Sequence, residues 1–107
     1  MLFDTHVHLD LLADAPGGPD GVLARAESAG VTRLLAMGGS DAANRAAVAA
    51  ARARPGRVLA AAGFNRDLAG AAVPLDALRA LAEDPSVAAV GEIGLDFHRD
   101  RGAAAAQ

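Results

Sequence analysis

The feature that most constrains the fold of this 107-residue chain is a fourfold alternation between short apolar runs and segments of helical periodicity. The apolar runs predict a first strand that leads into residues 4–10, and further strands at 31–37, 57–63 and 86–93. Helices are predicted at 20–29, 41–54 and 74–83, and residues 103–107 are interpreted as the opening of a fourth helix. The predicted buried stripe of the third helix consists of Leu75, Leu78, Leu81 and Ala82.

An alternation of strands and helices predicts parallel strands joined by right-handed crossovers. The runs are continuously apolar rather than alternating, which is typical of strands covered on both faces of a sheet. A doubly wound sheet would carry a glycine-rich phosphate loop, but Gly38-Gly39-Ser40 lacks the required spacing and is interpreted as a tight turn. A barrel is therefore favoured.

A TIM-type (β/α)₈ barrel has eight strands and about 250 residues, whereas four strands are predicted here. The fold class is predicted to be α/β, with parallel β/α units that form the first half of such a barrel. Residues 1–107 are predicted to be one partial barrel domain with strands 1–4 and the start of helix 4, the remainder of the barrel being absent. Such an arc would expose two sheet edges and its inner face to water.

Composition excludes several classes of protein. The formal net charge is −3, which gives no global basic field for coating nucleic acid or an anionic membrane. The absence of cysteine excludes disulfides and thiolate metal ligands. No apolar run approaches the roughly 18 residues of a membrane span, and no signal peptide pattern is present. A cytoplasmic location is expected, with no membrane partner and no obligate protein partner.

Two histidines alternate at the end of the first predicted strand, in the stretch Asp4-Thr5-His6-Val7-His8-Leu9-Asp10. Successive side chains of a strand point to opposite faces, so Asp4, His6 and His8 are predicted to point the same way. Two adjacent imidazoles form half of a site for a divalent ion, and nearby carboxylates can accept the second ring N–H. A packed or solvated histidine pair is the alternative interpretation.

Glu92 lies at the end of the fourth predicted strand, between two glycines. A carboxylate at the end of a buried strand needs a partner. One interpretation is an ion pair with an arginine at the barrel mouth. The other is a carboxylate that bridges two metal ions about 3.5–4 Å apart, and the histidine pair on the first strand favours it.

The stretch from Asp4 to Asp10, combined with Gly91-Glu92-Ile93-Gly94-Leu95-Asp96-Phe97, resembles the TatD family of metal-dependent hydrolases and nucleases. The resemblance covers nearly the whole chain and implies an amidohydrolase-like barrel with one or two divalent ions, Mg, Mn or Zn. It implies that His6 and His8 bind the first metal and that Glu92 bridges to the second. It also implies hydrolysis of ester bonds, typically phosphodiesters of DNA as a transient substrate.

The chain departs from the family pattern in three places. Gly63-Phe64-Asn65-Arg66 replaces the usual Gly-x-His-Pro at the end of strand three. There Arg66 could contact a phosphate bidentately and Asn65 could donate a hydrogen bond, so both are candidate substrate-binding residues. His98 stands in the usual aromatic pair and is interpreted as a loop residue. The two remaining histidine ligands and the general-base aspartate would lie beyond residue 107, so no catalytic residue is predicted within this chain.

The sequence thus predicts a metal-dependent hydrolase, a TatD-type deoxyribonuclease by family that is truncated and inactive alone. A non-catalytic gene fragment is one alternative. A phosphoesterase of the polymerase-and-histidinol-phosphatase type is another, since it also begins Asp-x-His-x-His. An amidohydrolase centre bridged by a carbamylated lysine is disfavoured, because the chain contains no lysine and the fourth strand offers Glu92 instead.

Overall fold

A computed structural model describes residues 1–68 and 71–96. Four strands alternate with three helices, as the sequence predicts. The strands are Leu2–Val7 (β1), Val31–Gly39 (β2), Val58–Phe64 (β3) and Val87–Val90 (β4), and the helices are Gly18–Ser28 (α1), Asp41–Ala53 (α2) and Leu75–Ala82 (α3). Two short 3₁₀ helices, Leu9–Leu12 and Arg66–Leu68, were not predicted.

The four strands form one parallel sheet in the order β1-β2-β3-β4. Each strand therefore pairs with the next strand along the chain, which is the arrangement at the start of a (β/α)₈ barrel. The α/β fold of parallel units predicted from the sequence is confirmed. Within the part of the chain that the structure describes, β1 and β4 are the two edges of the sheet, as expected for an arc of four strands.

The packing centre lies where α2 covers β2 and β3. Ser40 begins the helix, because its hydroxyl accepts a hydrogen bond from the Ala43 N–H at 3.2 Å. Buried side chains of the helix then meet those of the two strands in one cluster, which includes Leu34, Ala36, Ala47, Val48, Ala51, Val58 and Ala60. Many of these side chains are small, so the helix can lie close to the sheet.

The outer elements are far less buried than predicted. Continuous apolar runs predict strands covered on both faces, but five of the six residues of β1 are exposed and none is buried. No residue of α3 is buried either; Leu75 is 57% exposed, Ala82 is exposed, and Leu78 and Leu81 are half-buried. The predictions of full coverage and of a buried α3 stripe are wrong. Coverage requires neighbours on both sides of an element, and the edges of the described sheet have them on one side.

A buried asparagine accepts hydrogen bonds from the ends of both central strands. Asn44 lies on α2 with no exposed surface, and its Oδ1 accepts hydrogen bonds from the N–H groups of Gly39 (3.3 Å) and Gly63 (3.0 Å). Its approach depends on Gly38, where an added Cβ would lie 1.9 Å from Oδ1. The loops that follow β2 and β3 therefore leave the sheet from fixed positions.

Several boundaries differ from the predicted ones. Strand β4 ends at Val90 rather than at 93, so Glu92 follows the strand instead of belonging to it. Helix α1 begins at Gly18, with Pro19 in its first turn, where a missing N–H costs nothing. The predicted fourth helix at 103–107 lies outside the described residues. In residues 1–68 and 71–96, no helix combines the length and apolar character that crossing a membrane requires.

Candidate metal centre

The two histidines of the first motif lie next to each other at the end of β1. His6 is in the strand, and His8 follows it immediately before the 3₁₀ helix Leu9–Leu12. The carboxylate of Asp4 accepts a hydrogen bond from the backbone N–H of His6 at 3.0 Å, which fixes the chain between them. The Nε2 atoms of the two imidazoles are 3.3 Å apart. The side-by-side arrangement predicted from their spacing is present.

Glu92 meets this pair from the opposite edge of the sheet. Its Oε2 lies 3.3 Å from Nε2 of His6 and 3.5 Å from Nε2 of His8. In a flat sheet, strands β1 and β4 would be about 14 Å apart, three spacings of about 4.8 Å. The three side chains therefore converge across the ends of two intervening strands, as they do inside the mouth of a barrel.

The donor set of these three residues suits a divalent metal ion. Among the described residues, His6, His8 and Glu92 each offer one ligand atom, and these atoms all lie within 4.8 Å of one another. Ligand bonds of about 2.0–2.1 Å in a tetrahedral arrangement place neighbouring donors about 3.3–3.4 Å apart. The separations of 3.3, 3.3 and 3.5 Å match that spacing. Two imidazoles and one carboxylate could hold an ion with little rearrangement.

Two glycines allow Glu92 to come so near. A Cβ on Gly63 would lie 2.4 Å from the carbonyl oxygen of Gly91, and a Cβ on Gly91 would lie 3.1 Å from Cε of Met37. The N–H of Gly91 donates to the carbonyl of Ala62 at 2.9 Å. The backbone before Glu92 thus rests directly against the backbone of β3. Larger residues here would move the carboxylate away from the histidines.

The flanking carboxylates have different roles. Asp10 lies beside His8, with its Oδ1 4.0 Å from Nδ1 of the ring, on the side away from Glu92. That distance is too long for a hydrogen bond, so the structure does not show Asp10 accepting the second ring N–H that the sequence suggested for this motif. Asp4 instead binds the backbone N–H of His6.

Asn65 and Arg66 lie in the same cleft as the metal-ligand candidates. A cleft of about 270 Å³ is lined by His6, Asn65, Arg66, Glu92, Ile93, Gly94, Leu95 and Asp96. The backbone N–H of Asn65 donates to the carbonyl of Gly39 at 2.9 Å, and its side-chain oxygen accepts from the N–H of Asp67 at 3.1 Å. Both candidate substrate-binding residues therefore border the site, in a loop anchored to the end of β2.

Arg66 has two carboxylate neighbours. Its Nε is 2.6 Å from Oδ2 of Asp96, an ion pair by distance, and its Nη1 is 3.9 Å from Oε1 of Glu92. Sequence reasoning assigned no role to Asp96, although it lies in the quoted Gly94-Leu95-Asp96 stretch. The signal that could have identified Asp96 from the sequence is its position as an acidic residue four places after Glu92, on the same loop. His98 lies outside the described residues.

Comparison with known proteins agrees with the two motifs. The family described as TatD related DNase matches residues 3–107. The chain is also similar to proteins named 3'-5' ssDNA/RNA exonuclease TatD from two bacteria. It is 39% identical to that of Erwinia billingiae (strain Eb661) over 83 residues, which cover 76% of this chain and 32% of the relative. It is 42% identical to that of Pantoea sp. (strain At-9b) over 81 residues, 74% of this chain and 31% of the relative. The chain thus spans about a third of the length of these curated relatives.

Proposed function

This chain belongs to the TatD related DNase family, and on that premise we propose that His6, His8 and Glu92 bind a divalent ion used to hydrolyse phosphodiester bonds of nucleic acid. The observation that carries the proposal is the convergence of three donor atoms at 3.3–3.5 Å from opposite edges of the sheet. DNA is the substrate expected from the family. The exonuclease names of the relatives cover both ssDNA and RNA, so single-stranded nucleic acid of either kind is included.

A bound ion would lower the pKa of a water molecule and polarise a phosphoryl oxygen. The residues of this chain have distinct tasks around it. His6 and His8 present ring nitrogens to the ion, and Asp10 lies on the far side of the His8 ring, 4.0 Å from its Nδ1. Glu92 supplies the one negative charge of the donor set. Asn65 and Arg66 line the adjacent cleft, where an amide N–H and a guanidinium can bind the oxygens of a phosphate.

Hydrolysis also needs a group that takes the proton of the attacking water. The family pattern places this aspartate, and two further histidine ligands, on later barrel strands. Since the chain spans about a third of its relatives, we propose that residues 1–107 form one partial barrel domain that supplies the first half of the site. The family resemblance implies that Glu92 also bridges to a second ion. Cytoplasmic location remains a prediction.

The alternatives are separated by specific observations. The family match over residues 3–107 favours a TatD-type hydrolase over a phosphoesterase of the polymerase-and-histidinol-phosphatase type. A fragment that binds metal without catalysing hydrolysis is the second candidate, and the partial coverage of the relatives favours it for this chain acting alone. Metal binding is common to both remaining candidates, so it is tested first.

The test is a calorimetric titration of the 107-residue chain with zinc and with manganese. We expect micromolar binding that is abolished in the double variant His6→Ala, His8→Ala. His98→Ala is the matched control, because it removes the third histidine of the chain and is expected to leave the affinity unchanged. Equal binding by the chain and the double variant would refute the metal centre.

Incubation of the same chain with labelled single-stranded DNA and manganese then separates the two candidates. We expect cleavage at background level, because the general base and later ligands are supplied by other strands. Cleavage that the double variant loses would show instead that four strands suffice for activity.

A further inference from the structure

The two carboxylate oxygens of Glu92 face different kinds of partner. Oε2 lies 3.3 and 3.5 Å from the imidazole nitrogens of His6 and His8. Oε1 lies 3.9 Å from Nη1 of Arg66. The oxygen through which Glu92 would bridge to a second ion therefore faces a guanidinium group.

Arg66 is held in this position from its other side. Its Nε is 2.6 Å from Oδ2 of Asp96, and the side chains of Arg66 and Asp96 are 26% and 19% exposed. Its loop is anchored where Asn65 donates to the carbonyl of Gly39. The guanidinium is therefore a partly buried positive charge between two carboxylates, and its 2.6 Å contact with Asp96 is an ion pair rather than an aligned hydrogen bond.

We propose that Arg66 is the second cation of this centre, a positioning residue that occupies the side of Glu92 where a second metal ion would bind. The set of His6, His8 and Glu92 then takes one divalent ion per chain. This inference rests on the proposed function, because it requires that set to bind an ion.

Electrostatics gives the size of the effect. An ion bound to Oε1 at about 2.1 Å would lie within about 6 Å of the guanidinium. Taken by itself, without the opposing charge of Asp96, the guanidinium charge at that distance weakens binding of a divalent ion about tenfold even at the dielectric constant of water. The formal charges of Glu92, Asp96 and Arg66 sum to −1, so one divalent ion brings this group to +1 and a second would bring it to +3.

The same placement explains how Arg66 can serve the substrate. Arg66 borders the cleft that His6 and Glu92 also line. A guanidinium there can bind two oxygens of a phosphate and stabilise the charge that develops during displacement. In a two-ion centre, this task belongs to the second ion. Arg66 combines the neutralisation of Glu92 with the contact to the phosphate.

The experiment counts Mn²⁺ ions bound per chain at equilibrium, from the paramagnetic resonance signal of the free ion. Arg66→Met removes the charge and keeps much of the side-chain length, whereas Arg66→Lys keeps the charge. We expect one Mn²⁺ on the unaltered chain and on Arg66→Lys, and a second, weaker Mn²⁺ on Arg66→Met. Two Mn²⁺ ions bound to the unaltered chain would be enough by themselves to overturn the proposal.

An Arg66→Met protein that matches the unaltered chain in ion number and affinity, and in its circular dichroism, would overturn it too. The double variant His6→Ala, His8→Ala separates this failure from that of the proposed function. If the unaltered chain binds no Mn²⁺, or binds it equally without the two histidines, the proposed metal centre itself is refuted. If its single ion is lost with the histidines and Arg66→Met changes nothing, only the role of Arg66 is refuted.

Discussion

The middle of the sheet and its two edges differ in what they contribute to the molecule. Strands β2 and β3, with α2 against them, contain most of the buried side chains among the described residues. The edge strands β1 and β4 are largely exposed, yet His6 lies on β1 and Glu92 follows β4. Packing and candidate chemistry are therefore on different strands. Substitutions in the middle should change stability, and substitutions at the edges should change ligand binding.

Two leucines, one in the middle of the sheet and one at its edge, test this comparison most directly. Leu34 on β2 is 2% exposed and Leu2 on β1 is 62% exposed. Leu34→Ala should lower the free energy of unfolding by about 2–5 kcal/mol, because it leaves a cavity in the core. Leu2→Ala should change it by less than about 0.5 kcal/mol. Urea titrations followed by circular dichroism measure both, since the chain has no tryptophan or tyrosine.

An equal loss in the two variants would contradict the comparison. It would mean that β1 is covered in solution, and a concentration dependence of the urea midpoint would then show whether a second copy covers it.

Asn44 tests whether the middle of the sheet depends on polar contacts as well as apolar ones. Asn44→Ala should cost about 2–3 kcal/mol, because the buried N–H groups of Gly39 and Gly63 would lose their acceptor. Asn65→Ala is the control, since Asn65 accepts from one loop N–H, and its cost should stay near 1 kcal/mol or below. The same urea titration measures both variants. Equal losses in the free energy of unfolding would show that the buried acceptor of Asn44 stabilises the fold no more than the loop acceptor of Asn65.

A substitution at Gly63 should affect both stability and metal binding, although Gly63 lies on the central strand β3. Gly63→Ala would bring a Cβ within 2.4 Å of the carbonyl oxygen of Gly91, so the backbone must shift. We expect a loss of about 1–3 kcal/mol in stability from overpacking. We also expect Mn²⁺ affinity to fall about 10–100-fold, because Glu92 would no longer be oriented towards the histidines.

Gly94→Ala is the matched control for this change. Within residues 1–68 and 71–96, its added Cβ would have no atom within 4 Å apart from its chain neighbours, although Gly94 is only two residues from Glu92. Metal affinity should remain as in the unaltered chain. A Gly63→Ala protein that binds Mn²⁺ normally would show that the close approach of the two backbones does not position the carboxylate.

The smallest effect is expected at Asp84, which connects the middle of the sheet with its edge. Hydrogen bonds from the hydroxyl and the backbone N–H of Ser86, with the nearby Arg52 of α2, lower the pKa of Asp84 from 3.8 to about 2. Its folded pKa lies below the unfolded one. The stabilisation is therefore complete above about pH 4 and is lost as the pH falls towards about 2.

Asp84→Asn should therefore melt at a lower temperature than the unaltered chain near pH 6, by an amount that shrinks as the pH falls and vanishes only below about pH 2. Thermal melts followed by circular dichroism at several pH values measure this. A difference that stays constant with pH would mean that the charge of Asp84 is not involved.

The strands, helices and parallel order could be predicted because they depend on local patterns. Apolar runs bounded by glycine or proline mark the second, third and fourth strands, and Ser40 marks the start of α2. The two 3₁₀ helices were missed because three or four residues with local hydrogen bonds leave no periodic signal. The exposure of β1 and α3 was missed because apolar content shows what a segment can bury, not what lies next to it.

The candidate site was predicted in part. The alternation of His6 and His8 follows from the period of a strand, and Glu92 was found from its cost at a strand end. The ion pair of Arg66 with Asp96 could not be predicted, since it joins a residue of a 3₁₀ helix to a loop residue thirty positions away. Asn44 could have been found: it lies three positions before Ala47 and seven before Ala51, on the face of α2 that the apolar pattern buries.

The alanines at the junction of α2 with the sheet have a consequence for how the fold is ordered. Of the thirteen hydrophobic residues that are buried in the described part of the chain, seven are alanines, and four of these, Ala36, Ala47, Ala51 and Ala60, belong to the cluster between α2 and the sheet. An alanine has no side-chain rotamers, so burying it costs none of the side-chain entropy that a leucine or methionine loses. It also leaves no rotamer that could adjust to a larger neighbour. A bulkier residue at this junction would therefore have to be accommodated by larger neighbours such as Leu34 and Val48 or by a shift of the backbone. A shift of α2 would also move Asn44, which binds the ends of β2 and β3.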